Sequence, residues 1–302
     1  MSTATAPLSL GGKRLNLSNL EKVLYPAAGF TKGEVIDYYL RVAPAMLPHL
    51  RDRALTLKRY PDGVEAGHFY EKKCPAYRPE WLKTADVPGK SGSIEYCMIQ
   101  DRPSLLWIAN LASLELHTSL AKARQPDRPT AMVFDLDPGP PATILLCARI
   151  GLRLRELLKK LKLECFAKTS GGKGLHVYVP LNTPSVTFDA TKELAYTIAA
   201  MMELKHPKEV TATMAKAMRP GKVYVDWAQN ERSKTTACAY SLRAMARPTA
   251  STPVTWDEVA EAAEGKDPSA LSFKAEQVLG RVAERGDLFE PVLTLKQRLP
   301  KI

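Results

Sequence analysis

The stretch Ala131–Pro138, AMVFDLDP, combines an apolar run with two carboxylates and ends at a Pro-Gly-Pro-Pro breaker. Side chains two residues apart in a β-strand point to the same face. Asp135 and Asp137 are therefore expected to share one face, while Phe134 and Leu136 point into a core. Two like charges this close are costly unless a cation lies between them, and a divalent metal bound through oxygen relieves that cost. The alternative is a polar strand end in which Asp137 caps a following helix.

Length and composition indicate a globular protein with a substantial core. The chain has 302 residues, of which 45% are hydrophobic and 25% charged, with no low-complexity tract. This is enough for one large domain or two medium ones. No apolar stretch approaches a membrane span, and residues 1–4 lack the basic-then-apolar pattern of a leader. These features predict a soluble, cytoplasmic protein.

The charge balance is basic. Lys and Arg number 43 against 32 Asp and Glu, which gives a formal net charge of +11. Such an excess favours a polyanionic partner such as nucleic acid, although some ordinary soluble enzymes share it.

The cysteines are widely scattered and form no C-x-x-C pair. Neither a zinc site nor a disulfide framework is therefore indicated. We expect buried free thiols in a reducing compartment at all five positions: Cys74, Cys97, Cys147, Cys165 and Cys238.

The glycine-rich stretch 170–174, SGGKG, is predicted to join two strands in a tight turn. It is not a P-loop, because Lys173 is followed by glycine where that motif needs Ser or Thr. Its glycines would still let backbone N–H groups approach an anion, while Ser170 adds a hydroxyl and Lys173 a positive charge. Together with Gly171 and with His176 on the returning strand, they predict a triphosphate cradle. An ordinary hairpin turn is the alternative.

A third carboxylate, Asp226, lies near the end of a further predicted strand. Three acidic groups beside a phosphate cradle are typical of two-metal phosphoryl transfer. Arg243, and with it Arg219, could neutralise the triphosphate. Lys58 and His117 could contact the nucleotide from the N-terminal half, although a histidine ending an apolar run is more often a satisfied core residue.

Two lysines flank the start of an N-terminal helix. Thr31 can cap that helix, with Glu34 as its capping-box partner. Lys22 and Lys32 lie on either side of the turn before it, where the helix dipole favours an anion. A phosphate site and a pair of solvated surface lysines are both consistent with this pattern.

Adjacent aromatics at Phe69 and Tyr70 lie beside lysines. Such a group suits stacking against nucleobases. Packing in the core of a strand is the alternative.

The predicted elements mix strands and helices throughout. A weak boundary lies at residues 124–129, where two prolines precede the acidic strand. A last helix is expected at residues 255–263, followed by a polar tail ending at a proline.

In this order and spacing, the motifs closely resemble the polymerase domain of bacterial DNA ligase D, a member of the archaeo-eukaryotic primase superfamily. The matching pieces span most of the chain. They are KRYP at 58–61, FYEK at 69–72, LELH at 114–117, FDLDP at 134–138, SGGKGLH at 170–176, VDWAQN at 225–230, KTT at 234–236 and YSLR at 240–243.

The resemblance implies an α+β fold with an archaeo-eukaryotic primase-like core. Two packed sheets, mixed or antiparallel and one of them RRM-like, would be flanked by helices. Residues 1–302 would form a single primase-polymerase domain, with a weak internal subdivision into an N-terminal αβ half (1–128) and an RRM-like catalytic half (129–302).

The resemblance also implies roles for individual residues. The family would be expected to carry phenylalanine at the position of Tyr70. The tyrosine here retains an aromatic face for stacking. The metal ligands would be Asp135, Asp137 and Asp226; the nucleotide contacts Lys58, His117, Ser170, Gly171, Lys173, His176 and Arg243; and the DNA contacts Asn19, Lys22 and Lys32 at a 5′-phosphate, with Phe69 and Tyr70 stacking.

The implied activity is DNA-directed nucleotidyl transfer to primer 3′ ends at gaps and double-strand breaks in bacterial nonhomologous end joining. It would use two Mn²⁺ or Mg²⁺ ions and NTP or dNTP, ATP among them. The partners would be double-stranded DNA ends, gapped DNA with a 5′-phosphate, the Ku end-binding protein and a ligase domain, in the nucleoid-associated cytoplasm. A de novo primase and a non-catalytic DNA-end-binding module are the alternatives.

Overall fold

The computed structural model describes residues 5–89 and 92–300, so residues 1–4, for which no leader was predicted, lie outside it. No helix in the described ranges is long and apolar enough to cross a membrane. The fold is α+β, as predicted. The helices are α1 Lys32–Leu50, α2 Arg102–Asn110, α3 Ile144–Lys160, α4 Phe188–Lys205, α5 Trp256–Glu264, α6 Ala275–Arg285 and α7 Pro291–Thr294. The strands are β1 Thr5–Leu10, β2 Lys13–Ser18, β3 Val23–Tyr25, β4 Phe30–Thr31, β5 Leu55–Arg59, β6 Phe69–Glu71, β7 Thr84–Gly89, β8 Gly92–Cys97, β9 Ser113–Thr118, β10 Ala131–Pro138, β11 Phe166–Thr169, β12 Leu175–Pro180, β13 Val210–Thr211, β14 Val223–Asp226, β15 Thr236–Ala237, β16 Leu242–Ala244, β17 Pro248–Ala250 and β18 Pro253–Val254.

The acidic strand β10 lies inside a six-stranded sheet with the order β13-β14-β10-β12-β11-β18. All neighbours are antiparallel except β13 and β14. Phe134 and Leu136 are fully buried and pack with Ile150 and Leu154 of the amphipathic helix α3. The predicted alternation along β10 is thus confirmed, because its apolar side chains enter this core.

A second, four-stranded sheet has the order β15-β9-β5-β6 and is antiparallel throughout. Its apolar face, with Leu55 and Leu57, packs in the same core as α1. The predicted capping box at the start of α1 is present: the Thr31 side chain accepts from the Glu34 N–H, and the Glu34 carboxylate accepts from the Thr31 N–H. β15 comes from the second half of the sequence but completes this sheet.

The polar faces of the two sheets meet. Tyr178 of β12 and Thr236 of β15 share a hydrogen bond of 2.6 Å between their hydroxyls. The buried Lys168 of β11 donates to the Ala237 carbonyl of β15 at 3.0 Å. Side chains carried by different sheets are therefore brought together at a buried interface between the two sheets.

The prediction of a polar tail after residue 263 is wrong. The predicted last helix is present as α5, but α6 follows it and packs against α1. Ala275, Val278, Leu279 and Val282 recur at helical spacing, and Ala275 and Val278 are buried. Beyond α6, Asp287 Oδ2 lies 2.8 Å from His49 Nε2 of α1. The helix was missed in the sequence because the segment has few apolar residues, and these form only a narrow stripe along one face.

The prediction of five free thiols is also wrong in part. Cys74 and Cys97 form a disulfide, with their Cα atoms 4.8 Å apart. Cys147, Cys165 and Cys238 are free and buried, as predicted. The two paired cysteines are 23 positions apart and meet because the segment after β6 packs against β8. The pair is created by tertiary packing, and the spacing of the two cysteines in the sequence gives no sign of it.

Candidate active site

The three predicted carboxylates lie on adjacent strands. Asp135 of β10 is the direct cross-strand partner of Asp226 of β14, and Asp137 lies two residues further along the same face of β10. Burial, with the charges of Asp135 and Asp226 adding to it, raises the pKa of Asp137 to about 7. Burial and the charge of Asp135 also raise the pKa of Asp226. The cluster thus holds more negative charge than its surroundings neutralise.

The pKa of Asp135 moves the other way. Burial raises it, but the neighbouring His176, Lys168 and Arg243 outweigh burial and hold it below its ordinary value. His176 Nε2 lies 3.2 Å from Asp135 Oδ1, close enough for electrostatic attraction. Oδ1 is nevertheless buried and has no aligned hydrogen-bond donor. Asp135 therefore stays ionised, with oxygen lone pairs available.

Two observations fit a divalent cation at this cluster: the uncompensated charge and the free Asp135 Oδ1. Among the residues described, however, no three His, Cys, Asp or Glu side chains are placed to hold a metal ion. Asp226 accepts instead from the Tyr224 hydroxyl, the Ala228 N–H and Gln229 Nε2. Mg²⁺ is usually bound by one or two carboxylates plus substrate phosphates and water. The arrangement fits such an open site better than a closed protein cage, and metal binding by the triad stays a prediction.

The 170–174 turn joins β11 to β12, as predicted, and lies against the end of β10. Its backbone is fixed from within, because Ser170 Oγ accepts from the N–H groups of Gly172 and Gly174 at 3.2 and 3.0 Å. Gly171 has φ +74°, and a Cβ there would overlap Arg243 and the backbone of residues 250–251. Lys173 is exposed at the tip. Some of the glycine N–H groups expected to face an anion are thus used inside the turn, while the charge of Lys173 remains available.

A buried glutamate organises the predicted nucleotide contacts. Glu115 of β9 lies 2.9 Å from His117 Nε2, 3.1 Å from Arg243 Nε and 3.6 Å from Lys58 Nζ. Its Oε1 also accepts from the Ala244 N–H. Burial raises the pKa of Glu115, but the His117 hydrogen bond and the charges of Arg243 and Lys58 outweigh it and lower it to about 2. Glu115 therefore stays ionised and fixes all three side chains.

Glu115 was missed as a functional candidate, although the sequence carried a signal. A charged residue inside the apolar run of β9, two positions from His117, must share its face. Arg243 also donates to the Ser170 carbonyl, so it links the glutamate of one sheet to the glycine turn of the other. The other predicted arginine, Arg219, stacks 3.9 Å from the centre of the Tyr224 ring, and its charge acts on Asp137.

The predicted aromatics lie on β6 but not in the core. Phe69 is 44% exposed and Tyr70 60% exposed. The guanidinium of Arg59 lies 5.1 Å from the Phe69 ring, and Lys58 Nζ lies 5.5 Å from the Tyr70 ring. Tyr70 also meets His117 edge to face. The strand-core alternative is wrong, and two aromatic faces are open to a base.

The predicted phosphate residues lie together around the start of α1, with Lys32 as its first residue. Asn19 adopts φ +55°, a left-handed conformation that asparagine tolerates, and its carbonyl accepts from the Lys22 N–H. Lys22 Nζ pairs with Asp62 at 2.6 Å. Lys32 is not a solvated lysine, since it is 5% exposed and donates to the Ser18 carbonyl at 2.6 Å. Burial, with the charges of Lys22 and Arg59 adding to it, lowers the pKa of Lys32 to about 8.

The helix end itself offers fewer donors than expected. The N–H groups of Lys32 and Gly33 donate to the carbonyls of Lys22 and Leu20. The Glu34 N–H is taken by the Thr31 cap. An anion at this end of α1 would therefore depend on the lysine side chains more than on backbone donors.

Comparison with known proteins places this architecture in a family. Residues 31–289 match the family model described as LigD, primase-polymerase domain. The chain is 43% identical over 282 residues to the multifunctional non-homologous end joining protein LigD of Mycolicibacterium smegmatis, covering 93% of this chain and 36% of that protein. It is 29% identical over 273 residues to the bifunctional protein LigD of Bacillus subtilis, covering 90% and 43%. The chain thus spans well under half the length of these relatives.

A solved structure agrees with the sequence matches. The polymerase domain from Mycobacterium tuberculosis ligase D in complex with DNA superposes with a TM-score of 0.86 at 40% identity, covering 94% of this chain and 99% of that one. Polymerases of the primase superfamily typically use divalent metal ions. The acidic strand pair, the glycine turn and these matches converge: the chain belongs to the LigD primase-polymerase domain family.

Proposed function

We propose that this chain adds ribo- or deoxynucleotides to primer 3′ ends at gaps and double-strand breaks during bacterial nonhomologous end joining. The observation that carries the proposal is the cross-strand pair of Asp135 and Asp226, with Asp137 beside them, at the end of the strand next to the glycine turn. A 3′-hydroxyl placed there would attack the α-phosphate in line, and pyrophosphate would leave.

Asp135, Asp137 and Asp226 are the residues that would hold Mn²⁺ or Mg²⁺. Bound divalent ions would lower the pKa of the attacking hydroxyl and neutralise charge on the leaving group. Because the pKa of Asp137 is raised to about 7, cation binding there near neutral pH would be accompanied by partial release of its proton.

The remaining residues would bind and orient the nucleotide. Lys58, Arg243 and Lys173 supply positive charge for the triphosphate, and Glu115 holds the first two in place. His117, which is also fixed by Glu115, would contact the nucleotide, together with Ser170 and Gly171 of the turn. His176 would approach from β12. Tyr70 and Phe69 would stack on a base.

The DNA would be held at a second place, before α1. Lys22 and Lys32, with Asn19 between β2 and β3, are proposed to grip the 5′-phosphate across a gap. The solved relative in complex with DNA supports a DNA substrate. We further propose that residues 1–302 form a single domain, since β15 and α6 of the second half complete the sheet and the core of the first. Interaction with Ku and with a ligase domain, and a cytoplasmic location, belong to the same proposal.

Primer extension on a gapped duplex with a 5′-phosphate tests the function, using NTP or dNTP with Mg²⁺ or Mn²⁺. We expect templated addition to the primer, weaker when the 5′-phosphate is absent. Binding of the duplex without incorporation under any of these conditions would favour the end-binding module. Product from template and nucleotides alone, without a primer, would favour the primase.

A further inference from the structure

A lysine outside the proposed contacts lies wholly buried behind the site. Lys168 of β11 is 1% exposed and is the cross-strand partner of His176 in β12. Its Nζ lies 3.0 Å from His176 Nδ1, 3.0 Å from the Ala237 carbonyl and 2.6 Å from Ser251 Oγ. Burying an ammonium costs several kcal/mol, roughly, unless every proton is hydrogen-bonded. Burial lowers the pKa of Lys168 to about 7, so below that pH its side chain is an ammonium, and these three acceptors match its three protons.

The surrounding bonds fix the direction of each of these contacts. Ser251 Oγ donates its own proton to the Thr169 carbonyl at 2.9 Å, so it accepts from Lys168. The Ala237 carbonyl can only accept. The third ammonium proton therefore points at His176 Nδ1, which must present its lone pair. A neutral imidazole with a lone pair on Nδ1 carries its proton on Nε2.

The consequence reaches the carboxylate cluster. His176 Nε2, the protonated nitrogen, faces Asp135 Oδ1 at 3.2 Å. Lys168 also ties this strand to β15, whose Ala237 pairs with His117 of the opposite sheet. One buried side chain thus links the six-stranded sheet to the four-stranded sheet.

We propose that Lys168 is a positioning residue that fixes His176 as the Nε2–H tautomer and holds its imidazole against Asp135. Partners that orient a histidine through its second nitrogen are a common device around metal and catalytic sites. The effect on polymerisation rests on the proposed function, but the tautomer does not.

The direct test is ¹⁵N NMR of the imidazole nitrogens in histidine-labelled protein, with the His176 signal assigned by its loss in His176→Gln. In the parent protein below about pH 7, where Lys168 is an ammonium, His176 should show a protonated Nε2 and an unprotonated Nδ1. Lys168→Met, which keeps the length but removes the donor, should shift the signal toward the other tautomer. Ser251→Ala, which removes a different acceptor of Lys168, should leave it unchanged.

A protonated Nδ1 in the parent protein would overturn the proposal, and this result depends only on the assignment variant His176→Gln being folded. An unchanged His176 signal in folded Lys168→Met would overturn it as well. In primer extension, Lys168→Met should reduce the rate by about 10- to 100-fold, the usual cost of losing an orienting partner. If the parent lacks extension activity, the proposed function fails, whereas the tautomer result stands on its own.

Discussion

Asp135 and Asp226, far apart in the sequence, are direct partners across two antiparallel strands, the second and third of the six-stranded sheet. Burial and the charge of Asp135 raise the pKa values of both Asp226 and the neighbouring Asp137. A site that concentrates acidic groups in this way attracts cations and repels DNA phosphates. Catalysis therefore explains the cluster better than DNA binding alone.

Asp137→Asn should abolish primer extension, because the amide keeps the shape but loses the charge that attracts the ion. We expect the extension rate to fall by more than about 100-fold, which is the upper end of the usual cost of losing a residue that only orients a metal ligand. Steady-state extension measures the loss, and a gel-shift assay should show DNA binding within about twofold of the parent. Asp189→Asn, at an exposed position of α4, is the matched control. Extension by Asp137→Asn at the parental rate would exclude Asp137 as a ligand.

Glu115→Gln should destabilise the protein in a pH-dependent manner. The folded-state pKa of Glu115 is lowered from 4.5 to about 2, so its stabilisation is complete above about pH 4.5 and is lost as the pH falls toward 2. Near pH 7 we expect a loss of roughly 3 kcal/mol, since Lys58 and Arg243 lose a buried partner. The difference from the parent should shrink as the pH is lowered.

Urea unfolding at about pH 7, 4 and 3 measures this difference. Glu193→Gln, on the exposed side of α4, should show a small offset that does not vary with pH. A Glu115→Gln offset that is equally independent of pH would contradict the role assigned to the Glu115 charge.

Tyr70→Ala should weaken nucleotide binding, because it removes an exposed aromatic face that is proposed to stack on a base. Stacking contributes about 1–3 kcal/mol per base, so KM for the nucleotide should rise by roughly tenfold. Tyr70→Phe keeps the ring and should stay close to the parent. Equal KM values for the alanine and phenylalanine variants would rule out stacking at this residue.

Lys22→Gln should reduce the preference for gapped DNA with a 5′-phosphate over the same DNA with a 5′-hydroxyl. A charged hydrogen bond contributes about 1.5 kcal/mol, so the ratio of the two affinities should fall by about tenfold. Fluorescence anisotropy with both duplexes measures it. Lys159→Gln, on the exposed face of α3, should weaken both duplexes alike and leave the ratio unchanged.

Reduction of the Cys74–Cys97 disulfide should destabilise the protein by about 3 kcal/mol, because the bond closes a loop between cysteines 23 positions apart. Thermal unfolding with and without dithiothreitol measures this effect. The double variant Cys74→Ser with Cys97→Ser should be insensitive to dithiothreitol. If the parent is equally insensitive, the disulfide does not contribute to stability under these conditions.

Much of the site was predictable because strand periodicity is a local property. The alternation in β10 placed Asp135 and Asp137 on one face and sent Phe134 and Leu136 to the core. The Thr31 cap and the turn at 170–174 followed from residue types in short windows. The ordered set of motifs identified the resemblance to the family, and that resemblance implied the α+β class.

Other features depend on which segments meet in space. The exposure of Tyr70, the burial of Lys32 and the pairing of Cys74 with Cys97 are set by neighbours from other parts of the chain. The same holds for the contacts of Glu115 with Arg243 and of Lys168 with Ala237, which join segments far apart in the sequence.

The sequence by itself therefore determined the acidic strand, the capped helix α1, the catalytic candidates and the family, because local spacing encodes which side chains share a face. Only the tertiary structure decided which charges neutralise one another. Burial and the contacts between distant strands set the pKa of Asp137, the ionised state of Glu115 and the hydrogen bonds of Lys168.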